Sequence, residues 1–165
     1  MSTHIISTQA GPLEIAIDGR GAPAVLMHSL FVDSRSWDRI RARLAEDRRL
    51  IIITAPGHGR SGDPGRRYSI GDVADAAVSV LDSLGITDPV DWVGNALGGH
   101  AGILFAASHP DRCRSLVALG APVHRPSAWQ RLQEWAIGPA RAVFGMNSWV
   151  GGTITDVLCD VSGDG

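Results

Sequence analysis

Asp91-Trp92-Val93-Gly94-Asn95-Ala96-Leu97-Gly98-Gly99-His100 is the stretch whose reading decides the fold. The largely apolar run Pro89–Val93 reads as a short buried strand, and the apolar run Ala101–Ser108 continues as a helix. Between them, Gly94, Gly98 and Gly99 can take turns closed to any residue carrying a Cβ. The stretch is therefore a strand, a sharp turn and a helix, with Ala96 at the apex. Asn95, just before it, is a poor nucleophile.

Working outward, Pro23–His28 (PAVLMH) and Leu50–Ile53 (LIII) are nearly continuous apolar runs, the mark of strands covered on both faces. Each ends in a loop rich in turn formers, residues 28–34 and 55–61. Arg114–Leu119 (RSLVAL) reads as a further strand, and His4–Ser7 with Leu13–Ile17 as an opening antiparallel hairpin. Two helices fit between the strands. One is capped by Ser36 and runs to about Glu46, with Trp37, Ile40 and Leu44 on one face. The other runs from Ile70 to Leu84, with Val73, Ala77, Val80 and Leu81 inward and Gly85 closing it. Strands alternating with helices predict an α/β fold, a mainly parallel sheet clothed by helices on both faces. Val25–Met27 and the strand before Asn95 should be neighbours, and Val25–Met27, Ile51–Ile53, Val90–Val93 and Leu116–Leu119 should all be deeply buried. After Ala121 the alternation stops, which divides the chain into a core, residues 1–122, and a partial cap or lid, residues 123–165, carrying Trp129, Trp135 and Trp149.

Composition narrows the function. At 165 residues, 44% hydrophobic and 19% charged, the chain can bury a sizeable core in one domain. A net charge of −2, with every basic residue an arginine and the arginines spread along the chain, offers no attraction for nucleic acid or an anionic membrane surface. Cys113 and Cys159 form no C-x-x-C pair, so a disulfide framework or a zinc site is not expected, and a reducing cytoplasm is the simplest setting. No basic-then-apolar leader and no run of about 20 apolar residues is present, so neither a targeting signal nor a membrane span is expected. Gly94 and Gly99 have the spacing of a phosphate-binding loop, but His100 and Ala101 stand where lysine and a hydroxyl residue are needed. No cofactor and no metal is called for.

From Leu13 to Pro122 the chain resembles the capped α/β hydrolases, a group that includes small esterases, lactonases, C–C bond hydrolases and epoxide hydrolases. Three motifs carry the resemblance in order and spacing: His28-Ser29 after a buried strand resembles the His-Gly oxyanion loop, Pro56-Gly57-His58-Gly59-Arg60-Ser61 the P-G-H-G-x-S loop, and Gly94-Asn95-Ala96-Leu97-Gly98 the G-x-S-x-G nucleophile elbow. The resemblance implies that Ala96 occupies the nucleophile position and that the backbone N–H of Leu97, with that of Leu30 or Phe31, would face a developing oxyanion. It implies a small ester-like or apolar substrate near His28, Ser29, Asn95, His124 and Trp129. His28 and His58 are read as structural, His58 as a turn residue, and His100 as packed rather than basic. Ser29 departs from the family's glycine and Thr54 from its aspartate. The family's acid and histidine follow the nucleophile in chain order, beyond a cap, and none is expected within these residues. The expectation is a hydrolase-family protein that is inactive as written. The alternative is a non-catalytic hydrolase-fold binder of a small apolar ligand or partner chain, with Arg114–Leu119 a sheet edge open to self-association or a complementing chain.

Overall fold

In the computed structural model, which describes residues 1–63 and 65–123, six strands form one sheet in the order β1-β2-β4-β3-β5-β6. They are β1 (Ser2–Thr8), β2 (Gly11–Asp18), β3 (Ala22–Met27), β4 (Arg48–Ile53), β5 (Val90–Asn95) and β6 (Cys113–Leu119). The opening hairpin is antiparallel and β2 runs antiparallel to β4, while β4, β3, β5 and β6 are mutually parallel. The expected pairing of β3 with the strand before the turn is present, with Val25 opposite Trp92 and Met27 opposite Gly94. Because parallel strands need crossovers, the helices α1 (Asp38–Leu44), α2 (Ile70–Ser83) and α3 (Leu97–Ser108) fall between them.

Strand period sorts the core into two layers. Leu13, Ile15, Val25, Met27, Ile51, Ile53 and Trp92 meet Val73, Ala77, Val80 and Leu81 of α2 and Ala101 and Phe105 of α3. Ala16, Ala24, Leu26, Leu50 and Ile52 meet Trp37 on the opposite face. The helix α2 starts where a reciprocal cap fixes it: the Asp72 backbone N–H donates to Ser69 Oγ, and the Ser69 N–H donates to the Asp72 carboxylate. Gly85, at φ +65°, ends it in a conformation that costs glycine least.

Two expectations are corrected. Asp33, not Ser36, caps the segment after β3, and Ser34–Trp37 is a 3₁₀ turn preceding α1. Its three residues per turn change the phase of the face, so Trp37 is buried while Ile40 stays 47% exposed. The second correction concerns β5 and β6. Val25–Met27, Ile51–Ile53, Val90 and Trp92 are buried as expected, but Asp91, Val93 and Leu116 are only half-buried and Val117 and Leu119 are each 47% exposed. β6 is last in the sheet, with α3 against one of its faces and, among the described residues, no helix on the other. The expected lid from His124 onward, with Trp129, Trp135 and Trp149, lies outside the described residues.

Candidate active site

Three segments meet at the carboxyl ends of β3, β4 and β5, the edge of a parallel sheet where α/β proteins bind ligands. The first is the turn between β5 and α3. Ala96 sits there at φ 45°, ψ −102°, a conformation in which a residue with a Cβ is strained. The surroundings hold it. The Ala96 N–H donates to Leu119 O at 2.7 Å, the Ala96 carbonyl accepts the His100 N–H at 2.9 Å, and the Gly98 N–H donates to His28 O at 3.1 Å. A Cβ on Gly98 would collide with the Met27 carbonyl, and one on Gly94 would collide with the Gly98 carbonyl. Both glycines are therefore required by close backbone approach, which brings the start of α3 directly onto the ends of β3 and β5.

Trp92 secures the turn from below, a role the sequence reading missed. Its indole N–H donates to Gly98 O at 3.0 Å, its ring lies 4.8 Å from that of Phe105, and Gly102 leaves the space that both Trp92 and Leu116 fill. A tryptophan two residues before a turn glycine, with a small residue eight positions after that glycine, was the available signal.

The second segment is the loop after β3. Leu30 and Phe31 are exposed at its tip, and Phe31 takes φ 71°, unusual for a non-glycine residue. His28 corrects an expectation. It was expected near the substrate, but it is 0% exposed and both of its ring nitrogens are engaged within the protein: Nε2 accepts the Ala55 N–H at 2.9 Å, and Nδ1 faces Ser29 O at 2.7 Å. Since Nε2 accepts, the neutral ring carries its proton on Nδ1 and donates it to Ser29 O. Burial is the main cause holding the His28 pKa below its ordinary value, with the nearby His58 pushing the same way and the Ser29 carbonyl and Asp33 opposing.

The third segment is the 55–61 loop. Ser61 Oγ donates to Thr54 O and accepts the Glu14 N–H, both at 2.8 Å, and this ties the loop to β2 and β4. His58 Nδ1 lies 2.9 Å from Pro56 O, its ring 5.2 Å from that of His28, which suits a turn residue. Thr54 is fully buried, and its hydroxyl has no hydrogen-bond partner. Phe31, Val32, Asp33, Arg35, Ser36, His58 and Gly59 line an open groove of about 620 Å³ beside the two loops. Asp33 makes a bidentate pair with Arg35 there, which holds its carboxyl at about 2.

Of the residues singled out from sequence, the fold brings Ala96, Leu97, Asn95, His28, Ser29, Leu30 and Phe31 to this one edge of the sheet. Asn95 is exposed, and Ser29 and Leu97 are half-buried. His124 and Trp129 lie outside the described residues. His100 is not aimed at the apex methyl: its Nδ1 lies 3.0 Å from Ala96 O and its Nε2 3.1 Å from Pro122 O. Among the described residues, no group of three potential ligands could hold a metal ion, and no helix is long and apolar enough to cross a membrane.

A family model described as the alpha/beta hydrolase fold matches residues 23–139. The 2-hydroxymuconate semialdehyde hydrolase of Pseudomonas sp. (strain CF600) is 36% identical over 107 residues, 62% of this chain and 38% of that protein. A solved structure of an N-acyl homoserine lactonase, AidH, as a serine-to-glycine mutant complexed with N-hexanoyl homoserine lactone, is 31% identical with a TM-score of 0.62, covering 69% of this chain and 43% of that one. A thermophilic esterase from Thermogutta terrifontis shares the fold at 23% identity and a TM-score of 0.75, covering 88% of this chain and 55% of that one. The chain thus spans well under half the length of the curated hydrolase it matches.

Proposed function

The chain belongs to the alpha/beta hydrolase fold family, and from that premise we propose that it receives a small ester-like or lactone carbonyl compound at the Ala96 turn and does not form an acyl intermediate there. The semialdehyde hydrolase and the lactonase it resembles are hydrolases, and the reading follows their chemistry up to the step that needs a hydroxyl. The observation that carries it is the Ala96 backbone itself. The strained φ of 45° and the bonds to Leu119 O and from His100 N–H are kept, although the side chain is a methyl group. Strain of this kind costs on the order of 1–3 kcal/mol and persists only where the surroundings enforce it.

In this reading the N–H of Leu97, first residue of α3 and so without a partner inside the helix, faces the carbonyl oxygen of the ligand. The Leu30 N–H, from the loop after β3, is its second donor. Such donors act by charge complementarity and lose nothing when the nucleophile is absent, so binding survives while acylation does not. The lactonase mutant that holds its lactone with a glycine in place of a serine supports this separation. The setting is the reducing cytoplasm, with Cys113 a free thiol.

The test is direct. Calorimetry with N-hexanoyl homoserine lactone and with ethyl butyrate should detect binding to the protein, and a fluorophosphonate probe should leave residues 90–100 unlabelled. Absence of binding to both compounds, or covalent labelling at the turn, would overturn the reading.

A further inference from the structure

The side chain of His28 reaches no surface, yet through its ring and its backbone carbonyl the residue bonds to all three segments of the site. It closes β3, its carbonyl accepts the Gly98 N–H from α3, its Nε2 accepts the Ala55 N–H from the 55–61 loop, and its Nδ1–H is donated to Ser29 O. The last of these bonds has a consequence one residue on. The described chain contains no cis peptide, so the Ser29 carbonyl and the Leu30 N–H lie in one rigid plane and point in opposite directions. Drawing the carbonyl inward onto the imidazole therefore turns the Leu30 N–H away from the ring, out of the buried space.

We propose that neutral His28, with its proton on Nδ1, is the positioning residue that orients the Leu30 N–H, and that adding a proton to its Nε2 releases the loop and switches off ligand binding at the Ala96 turn. The step is one of proton binding only. A proton on Nε2 replaces the lone pair that accepts the Ala55 N–H, so two donors face each other in a buried space, and the ring must leave its place for water to reach it. Once the ring moves, nothing holds Ser29 O inward. The alternative neutral form, with the proton on Nε2, fails in the same way: Nδ1 would present a lone pair to Ser29 O 2.7 Å away, and Nε2–H would meet the Ala55 N–H.

The charged and titratable groups that face the ring are His58 of the 55–61 loop, which disfavours a second cation, and Asp33 of the loop after β3, which favours one. Asp33 is already committed to Arg35, and burial of the imidazole outweighs it. The neutral form therefore holds at pH 7, and release begins below the ordinary imidazole value of about 6.5.

This inference rests on the proposed binding role, and its test separates the two. Affinity for N-hexanoyl homoserine lactone is measured by calorimetry at pH 7.5 and 5.0 for the wild type and for His28→Gln, whose amide oxygen can accept the Ala55 N–H at the same reach but takes up no proton. The wild type should lose more than twofold in affinity on acidification, while His28→Gln, which lacks the Nδ1–H donor to Ser29 O, should already bind at least threefold more weakly than the wild type at pH 7.5 and change less than twofold between the two pH values. An equal loss in both proteins, or none in the wild type, overturns the proposal. Two measurements need no ligand. In the wild type, nitrogen-15 shifts of the His28 ring should show Nδ1–H at pH 7.5, and an Nε2–H ring would overturn the proposal even if His28→Gln does not fold. Exchange of the Ala55 amide should speed up at least tenfold, beyond the intrinsic pH effect, between pH 7.5 and 5.0, and unchanged protection would likewise overturn it. If lactone binding is absent at pH 7.5 while both of these behave as expected, the binding role fails and the His28 assignment stands.

Discussion

Ala96 and Gly98 show how little side chain the turn tolerates and how much its backbone dictates. At φ 45° and ψ −102° alanine is strained, so Ala96→Gly should stabilise the protein. Relief of about 1–3 kcal/mol is offset by the extra freedom glycine brings to the unfolded chain, about 0.5–1 kcal/mol. A net gain of about 1 kcal/mol in urea unfolding is expected, and a loss would mean that the strain is not borne at this residue. Gly98→Ala should do the reverse. Its Cβ would strike the Met27 carbonyl, a backbone group that cannot rotate away, and a loss of about 3 kcal/mol or failure to fold is expected. The glycine spacing of the turn was legible in sequence because only a few residue types permit such backbone paths. The burial of His28 was not, because nothing local to His28-Ser29 announces that Ala55, 27 residues away, will supply its donor. Thr54 illustrates the same limit: its orphaned hydroxyl is visible only once β2 and the 55–61 loop close over it.

Elements followed their sequence period wherever both neighbours were supplied by the chain. α2 carries its apolar face inward and is closed by Gly85 as expected, because helix period and glycine's left-handed freedom are local, while its Ser69–Asp72 capping box was not read from the sequence. Ser69→Ala should remove the bond that satisfies the Asp72 N–H and cost about 1 kcal/mol in thermal or urea unfolding, with no change in lactone affinity. α1 departed from its period because Asp33 begins the segment early and the 3₁₀ turn rotates Ile40 outward. β6 departed for a different reason: an apolar run says that a strand can be buried, and among the described residues nothing packs on its second face. Its Val117 and Leu119 point to a face that no described helix covers, and its outer edge lacks a described partner strand. An edge of this kind, without proline or inward charge, favours pairing between chains. Size-exclusion chromatography should show an apparent mass that rises with concentration for the wild type, and Val117→Lys should abolish that rise while changing stability by less than about 0.5 kcal/mol. A monomer at all concentrations in the wild type would show that the edge is protected.

The protonation states of the whole molecule predict an acid response in two separable stages. His28 has its folded-state pKa lowered by burial, so its unfolded form takes up a proton first as the pH falls. Its contribution is therefore fully present above about 6.5 and is lost progressively below that value, by at most about 1.4 kcal/mol per pH unit for one proton. Asp33 and Asp91 come later. Each is held at about 2, Asp33 by its bidentate bond to Arg35 and Asp91 chiefly by Arg114, with Ser115 and Arg48 adding to it. For a carboxylate lowered from 3.8 the stabilisation is present above the unfolded value and disappears between about 4 and 2. The first stage and the Asp91 part of the second lie in different places as well as different pH ranges. His28 joins the loops at the carboxyl ends of the strands, whereas Asp91 pairs across β5 and β6 near their beginnings, so the first stage should loosen the site and the second should unlink the edge strand. Thermal midpoints recorded from pH 8 to pH 2 should accordingly fall first from about 6.5 and again below about 4. His28→Gln should remove only the first fall, and Asp91→Asn only part of the second. A single transition below pH 4 in the wild type would show that His28 takes up its proton without cost, and with that the account of a neutral imidazole holding the three segments together would fail.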